Sequence, residues 1–127
     1  MAEFRRNIVI VEDDTGLNQA LSRLLLAAGF QPTSFQSGTA ALQSDAVNDA
    51  DCLVLDVNLA DMSGYELHRR LIEAGHSPPT IVITAHDDAV SRRQAERLGA
   101  VAYLTKPFAG RALVDAVTRI IEPRQIS

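Results

Sequence analysis

The sequence predicts an α/β domain with a parallel sheet and helices on both faces. Two observations predict it. Five short apolar runs alternate with five segments of helical character along 127 residues. The runs Ile8-Val9-Ile10-Val11, Leu53-Val54-Leu55 and Ile81-Val82-Ile83 are continuously apolar, as strands covered on both faces are.

The elements follow in order. Residues 8–11 are the first strand. Leu17, Leu21, Leu24, Leu25 and Ala28 recur at helical spacing, and Gly29 stops that helix. Thr33-Ser34-Phe35 is a second, less apolar strand, and a short helix spans about residues 37–44. Residues 53–55 are the third strand. Ser63 caps a helix that runs to about Ala74 and closes at Gly75. Residues 81–83 are the fourth strand, followed by a polar helix from about Asp88 to Leu98 that ends at Gly99. Residues 101–104 are the fifth strand. Residues 110–121 close the chain with an apolar stripe of Leu113, Val114, Val117, Ile120 and Ile121. The tail, residues 123–127, is expected to fray.

Composition bounds the function. Hydrophobic residues make up 46% and charged residues 22%, an ordinary globular mixture. No apolar run reaches the roughly 20 residues that span a bilayer, and the start shows no signal-peptide cleavage pattern. The single cysteine, Cys52, reads as a small core residue. These features fit the cytosol. The net charge of −4 is uneven, with nine acidic and three basic residues in 1–65 against seven and nine in 66–127. Neither half is a basic tract, which gives nucleic-acid binding no support. Eleven of the twelve basic residues are Arg; Lys106 is the only lysine, which suggests a position that wants a compact ammonium.

The polar residues converge on one edge. Glu12, Asp13 and Asp14 follow the first strand, Asp56 ends the third, Thr84 ends the fourth and Lys106 lies just past the fifth. The carboxyl edge of an open α/β sheet is where the ligand crevice forms. Clustered carboxylates repel, each pair by about 4 kcal/mol at ~4 Å and an effective dielectric of ~20. They call for a cation, and an oxygen-only donor set suits Mg²⁺ or Mn²⁺. A metal and an ammonium beside a carboxylate also suit a phosphoryl group, which makes Asp56 a candidate nucleophile. Plain readings exist for each residue alone: Asp14 caps the next helix, Asp56 sits in a loop, Thr84 ends a strand, and Lys106-Pro107 forms a turn. It is the ordered set that points to a site.

The stretches Ile8 to Asp14, Leu53 to Leu59, Met62-Ser63-Gly64, Ile81 to His86 and Tyr103 to Phe108 resemble the receiver domain of two-component response regulators over nearly the whole chain. The resemblance implies a flavodoxin-like, doubly wound five-stranded parallel sheet, order 2-1-3-4-5, with five helices. It implies one domain over residues 1–127, with no output domain in this chain. It implies that Asp56 is the phosphoacceptor and that Mg²⁺ is held by Asp13, Asp56 and the Asn58 backbone carbonyl, with Glu12 acting through water. Lys106 would pair with a phosphoryl oxygen, Thr84 and Tyr103 would act as the switch, and the Lys106-Pro107 bond would be cis. The implied donor is a sensor histidine kinase or phosphotransfer protein, docking near the first helix, where Asn18, Leu21, Ser22 and Leu25 are candidates; some of those leucines must instead face the core, and the pattern alone does not sort them. The readout would be a downstream effector at the fourth helix, fifth strand and fifth helix. Self-phosphorylation and autodephosphorylation are the only catalysis expected, in the cytoplasm, with no direct nucleic-acid or membrane binding; a phosphorylation-dependent homodimer is allowed.

Asn58 and His86 lie two residues beyond Asp56 and Thr84 and are candidate modulators of hydrolysis, which an imidazole would make pH-sensitive between about pH 6 and 7. The other reading of His86 is a solvated loop residue. His68 and His76 read as surface residues. The stretch from Ser91 to Arg97 reads as a solvated helix face, with a dimer or effector surface as the other reading. One departure from the family pattern is Ala60, where the loop after the acceptor normally has proline; looser loop order is expected. Three other classes fit less well. A flavin or nucleotide binder wants a phosphate-cradling loop where this chain has Glu12-Asp13-Asp14. An aspartate-nucleophile phosphohydrolase wants extra insertions. A receiver-like module that is never phosphorylated would not need Asp13, Asp56, Thr84 and Lys106 together.

Overall fold

The computed structural model describes residues 6–121, so the frayed tail expected at 123–127 lies outside the described residues. The elements are β1 (Asn7–Val11), α1 (Thr15–Ala27), β2 (Gln31–Phe35), α2 (Gly38–Leu42), a 3-10 turn (Ala46–Asp49), β3 (Cys52–Asp56), α3 (Gly64–Glu73), β4 (Thr80–Thr84), α4 (Ala89–Leu98), β5 (Ala102–Thr105) and α5 (Gly110–Ile121). All strands are parallel in the order β2-β1-β3-β4-β5, as the resemblance implies.

Successive side chains on a strand point to opposite faces, so each apolar run feeds two cores. Ile8, Ile10, Cys52, Val54, Ile81 and Ile83 face α1 and α5, where they meet Leu21, Leu25, Leu113 and Val117. Val9, Val11, Leu53 and Leu55 face the other way onto Ala41 of α2 and Leu67 and Leu71 of α3. Val82 packs on Ala95 of α4. The three central strands are covered on both faces, which explains their lack of polar alternation. β2 is an edge strand, where Pro32 costs no ladder bond on its open side.

Helix starts are capped by side chains, at Asp14 and Ser63 as the sequence marks and at Ser37 and Asp88 besides. Asp14, Ser37, Ser63 and Asp88 accept from the N–H of Leu17, Ala40, Glu66 and Ser91. Glycines with positive φ end α1, α3 and α4, at Gly29, Gly75 and Gly99.

Several expectations shift. The 3-10 turn at Ala46–Asp49 carries no periodic signal, and α2 ends at Leu42 rather than near residue 44. β5 starts one residue late, leaving Val101 exposed. His68 and His76 are half-buried rather than on the open surface. Of the four docking candidates on α1, Leu21 and Leu25 are the leucines that face the core, Asn18 is buried with them, and Ser22 is half-buried.

Gly64 opens α3 against the end of β3, and a β-carbon there would collide with the carbonyl oxygen of Asp56. Gly64→Ala is therefore expected to destabilise the fold by about 1–3 kcal/mol, the usual range for overpacking. Urea unfolding of the two proteins measures it; equal midpoints would contradict the close approach.

Candidate functional site

Parallel strands in this register bring their carboxyl ends to one edge. Val11 pairs with Leu55, Asp56 with Ile83, and Thr84 with Thr105. The residues just past β1 and β5 therefore stand beside the last residues of β3 and β4. Lys106 is held there by its own N–H, which donates to the Thr84 carbonyl at 2.8 Å; its bond to Pro107 is cis, as the resemblance implies.

The charged groups meet. Lys106 Nζ lies 3.0 Å from Asp56 Oδ2 and 2.8 Å from Glu12 Oε1. The first contact is a well-directed hydrogen bond; the second is a close ion pair whose angles are poorer. One carboxylate oxygen each of Glu12, Asp13 and Asp56 lie within 4.8 Å of one another. Glu12 and Asp56 are buried, and Asp13 is half-buried. Glu12 Oε2 accepts from the Asp14 N–H at 3.0 Å, and Asp56 Oδ1 accepts from the Asn58 N–H at 3.1 Å.

Burial pushes the Glu12 carboxyl up to about 7, further than the Lys106 ammonium and the Asp14 N–H pull it down, and the adjacent Asp56 adds to the rise. Burial alone would lower the Lys106 ammonium; its contacts with Glu12 and Asp56 outweigh that and raise it. Three carboxylates face one ammonium, so the edge is short of positive charge when all are ionised. An oxygen-only donor set with that deficit fits a hard divalent cation.

Thr84 and Tyr103 are near this edge but otherwise engaged. The buried Thr84 hydroxyl accepts from the His86 N–H at 2.9 Å and donates to the His86 carbonyl at 3.3 Å. Tyr103 packs with Val57, Val82 and Ala95. The Arg92 guanidinium lies 4.9 Å from the centre of its ring and is held by two hydrogen bonds to Asp87, at 2.6 and 2.9 Å. Arg92 lowers the Asp87 carboxyl, and the Tyr103 hydroxyl adds slightly to that without a hydrogen bond of good geometry. Asn58 Nδ2 and His86 Nδ1 are 3.2 Å apart, so these two exposed residues bridge the loops after β3 and β4.

Two residues take roles that the sequence did not suggest, Asn18 having been expected at a docking face. Buried Asn18 donates from one amide to the carbonyls of Glu12 and Phe35, at 2.9 and 3.0 Å, and so braces the loop that carries the acidic residues. Its signal was a polar side chain three residues before Leu21 on the inward face of α1. Asp61 accepts from Gly38 N, Thr39 N and Thr39 Oγ1 at 3.0, 2.9 and 2.6 Å, tying the loop after β3 to α2. Beside Lys106, an apolar groove runs between α1 and the start of α5, lined by Leu17, Ala20, Leu24, Ala85 and Phe108.

The profile of the response regulator receiver domain matches residues 8–118. The chain is 37% identical over 110 residues to the response regulator protein TmoT of Ectopseudomonas mendocina, a match covering 87% of this chain and 50% of that protein. It spans about half the length of the curated relatives it matches first. Among solved structures, the BeF3-activated receiver domain of DrrB, from Thermotoga maritima, is 32% identical with a TM-score of 0.81, covering 94% of this chain and 99% of that one. The non-phosphorylated HemR receiver domain of Leptospira biflexa is 26% identical with a TM-score of 0.86, covering 97% and 99%.

The Glu12 shift sets a pH dependence. Its folded value lies above its ordinary one, so the native chain keeps a proton that the unfolded chain has released. Its stabilising contribution is full below about pH 4.5 and is lost as the pH rises to about 7. Metal-free unfolding free energies should fall across that window by an amount on the order of 2–3 kcal/mol attributable to this group. In Glu12→Gln that part of the slope should vanish; an identical profile in both proteins would contradict the assignment.

Proposed function

The chain belongs to the response regulator receiver domains of two-component systems, and on that premise we propose that it accepts a phosphoryl group on Asp56 in a Mg²⁺-dependent reaction. The observation that carries this reading is the buried Asp56 carboxylate at the end of β3, 3.0 Å from the Lys106 ammonium and inside a three-carboxylate cluster. Asp13, Asp56 and the Asn58 backbone carbonyl would hold Mg²⁺ (or Mn²⁺), with Glu12 acting through water. The cation would supply positive charge against the phosphoryl oxygens and lessen the repulsion among the carboxylates.

The donor is a phosphohistidine on a sensor histidine kinase or phosphotransfer protein. An Asp56 oxygen forms the new O–P bond as the N–P bond breaks, and the imidazole nitrogen keeps the electron pair. Lys106, already paired with Asp56, turns its charge to a phosphoryl oxygen. Water later attacks phosphorus, the Asp56 carboxylate leaves, and inorganic phosphate is released. No external substrate is turned over. The groove beside Lys106 supports docking of the donor along α1, through Leu17, Ala20 and Leu24 rather than the buried Asn18, Leu21 and Leu25.

For the output, Thr84 exchanges its His86 contacts for the phosphoryl group, and Tyr103 follows toward the vacated space. That movement passes the signal to the surface of α4, β5 and α5. A switch from ~1% to ~99% active asks the phosphoryl group to favour the active state by about 5.5 kcal/mol. Residues 1–127 act as a single receiver unit. Its effector is another domain or protein, or a second copy in a phosphorylation-dependent homodimer. A cytoplasmic location goes with such a donor, and direct nucleic-acid or membrane binding has no part in the reading; among the described residues no helix is long and apolar enough to cross a membrane.

Asn58 and His86 would set the lifetime of the phosphoryl group, since their contact stands between the loops after β3 and β4.

Intact mass after incubation with acetyl phosphate tests the central claim. One added phosphoryl group is expected with Mg²⁺, and none without it or in Asp56→Asn. Lys106→Ala should slow the gain by about 100-fold, the scale for losing one donor to transition-state charge. No gain in the parent, from acetyl phosphate or from a phosphohistidine donor, would sink the reading. His86→Ala should change the hydrolysis rate of the phosphorylated chain by removing the contact with Asn58; rates that match the parent would remove His86 from the account.

A further inference from the structure

The loop from β3 to α3 carries Asn58 and lacks a proline to stiffen it, yet the structure fastens it at its base and at its tip. At the base its two ends meet: the Gly64 N–H donates to the Val57 carbonyl at 2.7 Å, and Asn58 and Ser63 form an isolated bridge. At the tip the anchor is α2. The helix has five residues, Gly38–Leu42, too few to hold its shape alone. Its first-turn N–H groups are all answered from outside the helix. Ser37 Oγ takes Ala40 N at 3.0 Å, and Asp61 takes Gly38 N and Thr39 N while also accepting the Thr39 hydroxyl. Next to Asp61, Met62 lies over Gly38 so closely that a β-carbon there would fall 2.7 Å from its Cγ and Sδ. The Thr39 hydroxyl and the Thr39 and Gly38 N–H groups lower the Asp61 carboxyl to about 2, so it is an anion throughout the neutral range.

We propose that Asp61 is a positioning residue: by clamping the β3–α3 loop to the first turn of α2, it presets the Asn58 carbonyl for the divalent cation and replaces the stiffness that a proline at position 60 would give. This rests on the reading of Asn58 as a metal-facing group. The clamp joins residues more than 20 positions apart at the tip of the loop, beyond the Asn58–Ser63 bridge, so it acts on the cation only through loop order.

Isothermal calorimetry of Mg²⁺ binding, with unfolding midpoints and amide exchange at Gly38 and Thr39, tests it in four proteins. In Asp61→Ala the Mg²⁺ dissociation constant should rise by about ten-fold, the lower end of what losing a supporting partner of a metal site costs. Exchange at Gly38 and Thr39 should speed up. Adding Ala60→Pro to Asp61→Ala should restore most of the affinity without restoring that protection, because proline narrows the loop's own conformations. Ser37→Ala, which removes the other cap of α2 and leaves the loop tie intact, should lower the unfolding midpoint and keep the parent's affinity. Unchanged affinity in Asp61→Ala, or an equal loss in Ser37→Ala, overturns the proposal while leaving the functional reading in place. A parent chain that binds no Mg²⁺ overturns both.

Discussion

One ammonium against three carboxylates organises this molecule. Lys106 touches both Glu12 and Asp56 in a largely buried edge, and Asp13 completes the cluster. In such surroundings charge is expensive unless paired. The chain answers in two ways: it pairs what it can through Lys106, and burial shifts Glu12 toward its neutral form. What remains is an edge poised for added positive charge. A stable arrangement would not need that tension, and a hydrophobic replacement of similar shape would relieve it.

The sheet makes the cluster unavoidable. β1 and β3 are neighbours, β4 lies beyond β3, and β5 closes that side. Four chain segments far apart in sequence therefore end within a few ångströms of each other. The loops are then pinned by groups that take no charge themselves. Asn18 ties the Glu12 and Phe35 carbonyls to α1, and the tight approach of Gly64 to Asp56 sets where α3 begins. The packing that buries Asn18, Leu21 and Leu25 also turns Leu17, Ala20 and Leu24 toward the groove beside Lys106.

The other flank is tied differently. Thr84 is bonded to the His86 main chain, His86 to Asn58, and Asp87 to the Arg92 that covers Tyr103. These contacts connect the edge to α4 through hydroxyl, imidazole and guanidinium groups that can exchange partners. The interior beneath them, Val57, Val82 and Ala95, is close-packed and apolar. Rearrangement at the rim is thus cheap compared with rearrangement of the core.

Much of this was legible along the chain, because hydrophobic periodicity and capping chemistry are local. The runs at residues 8–11, 53–55 and 81–83 became the central strands, and Asp14 and Ser63 became caps. The candidate site residues Glu12, Asp13, Asp56, Thr84 and Lys106 were legible as strand-end positions, since a parallel sheet sends all such ends to one edge. Three-dimensional packing decided the rest. Which α1 leucines face inward depends on helix rotation against the sheet, and the pattern Leu21, Leu24, Leu25 admits more than one rotation. The 3-10 turn at Ala46–Asp49 is held by neighbours, not by periodicity. Asn18 and Asp61 act on partners up to 23 positions away, and a hydrogen bond to a distant backbone leaves no spacing for a sequence to reveal.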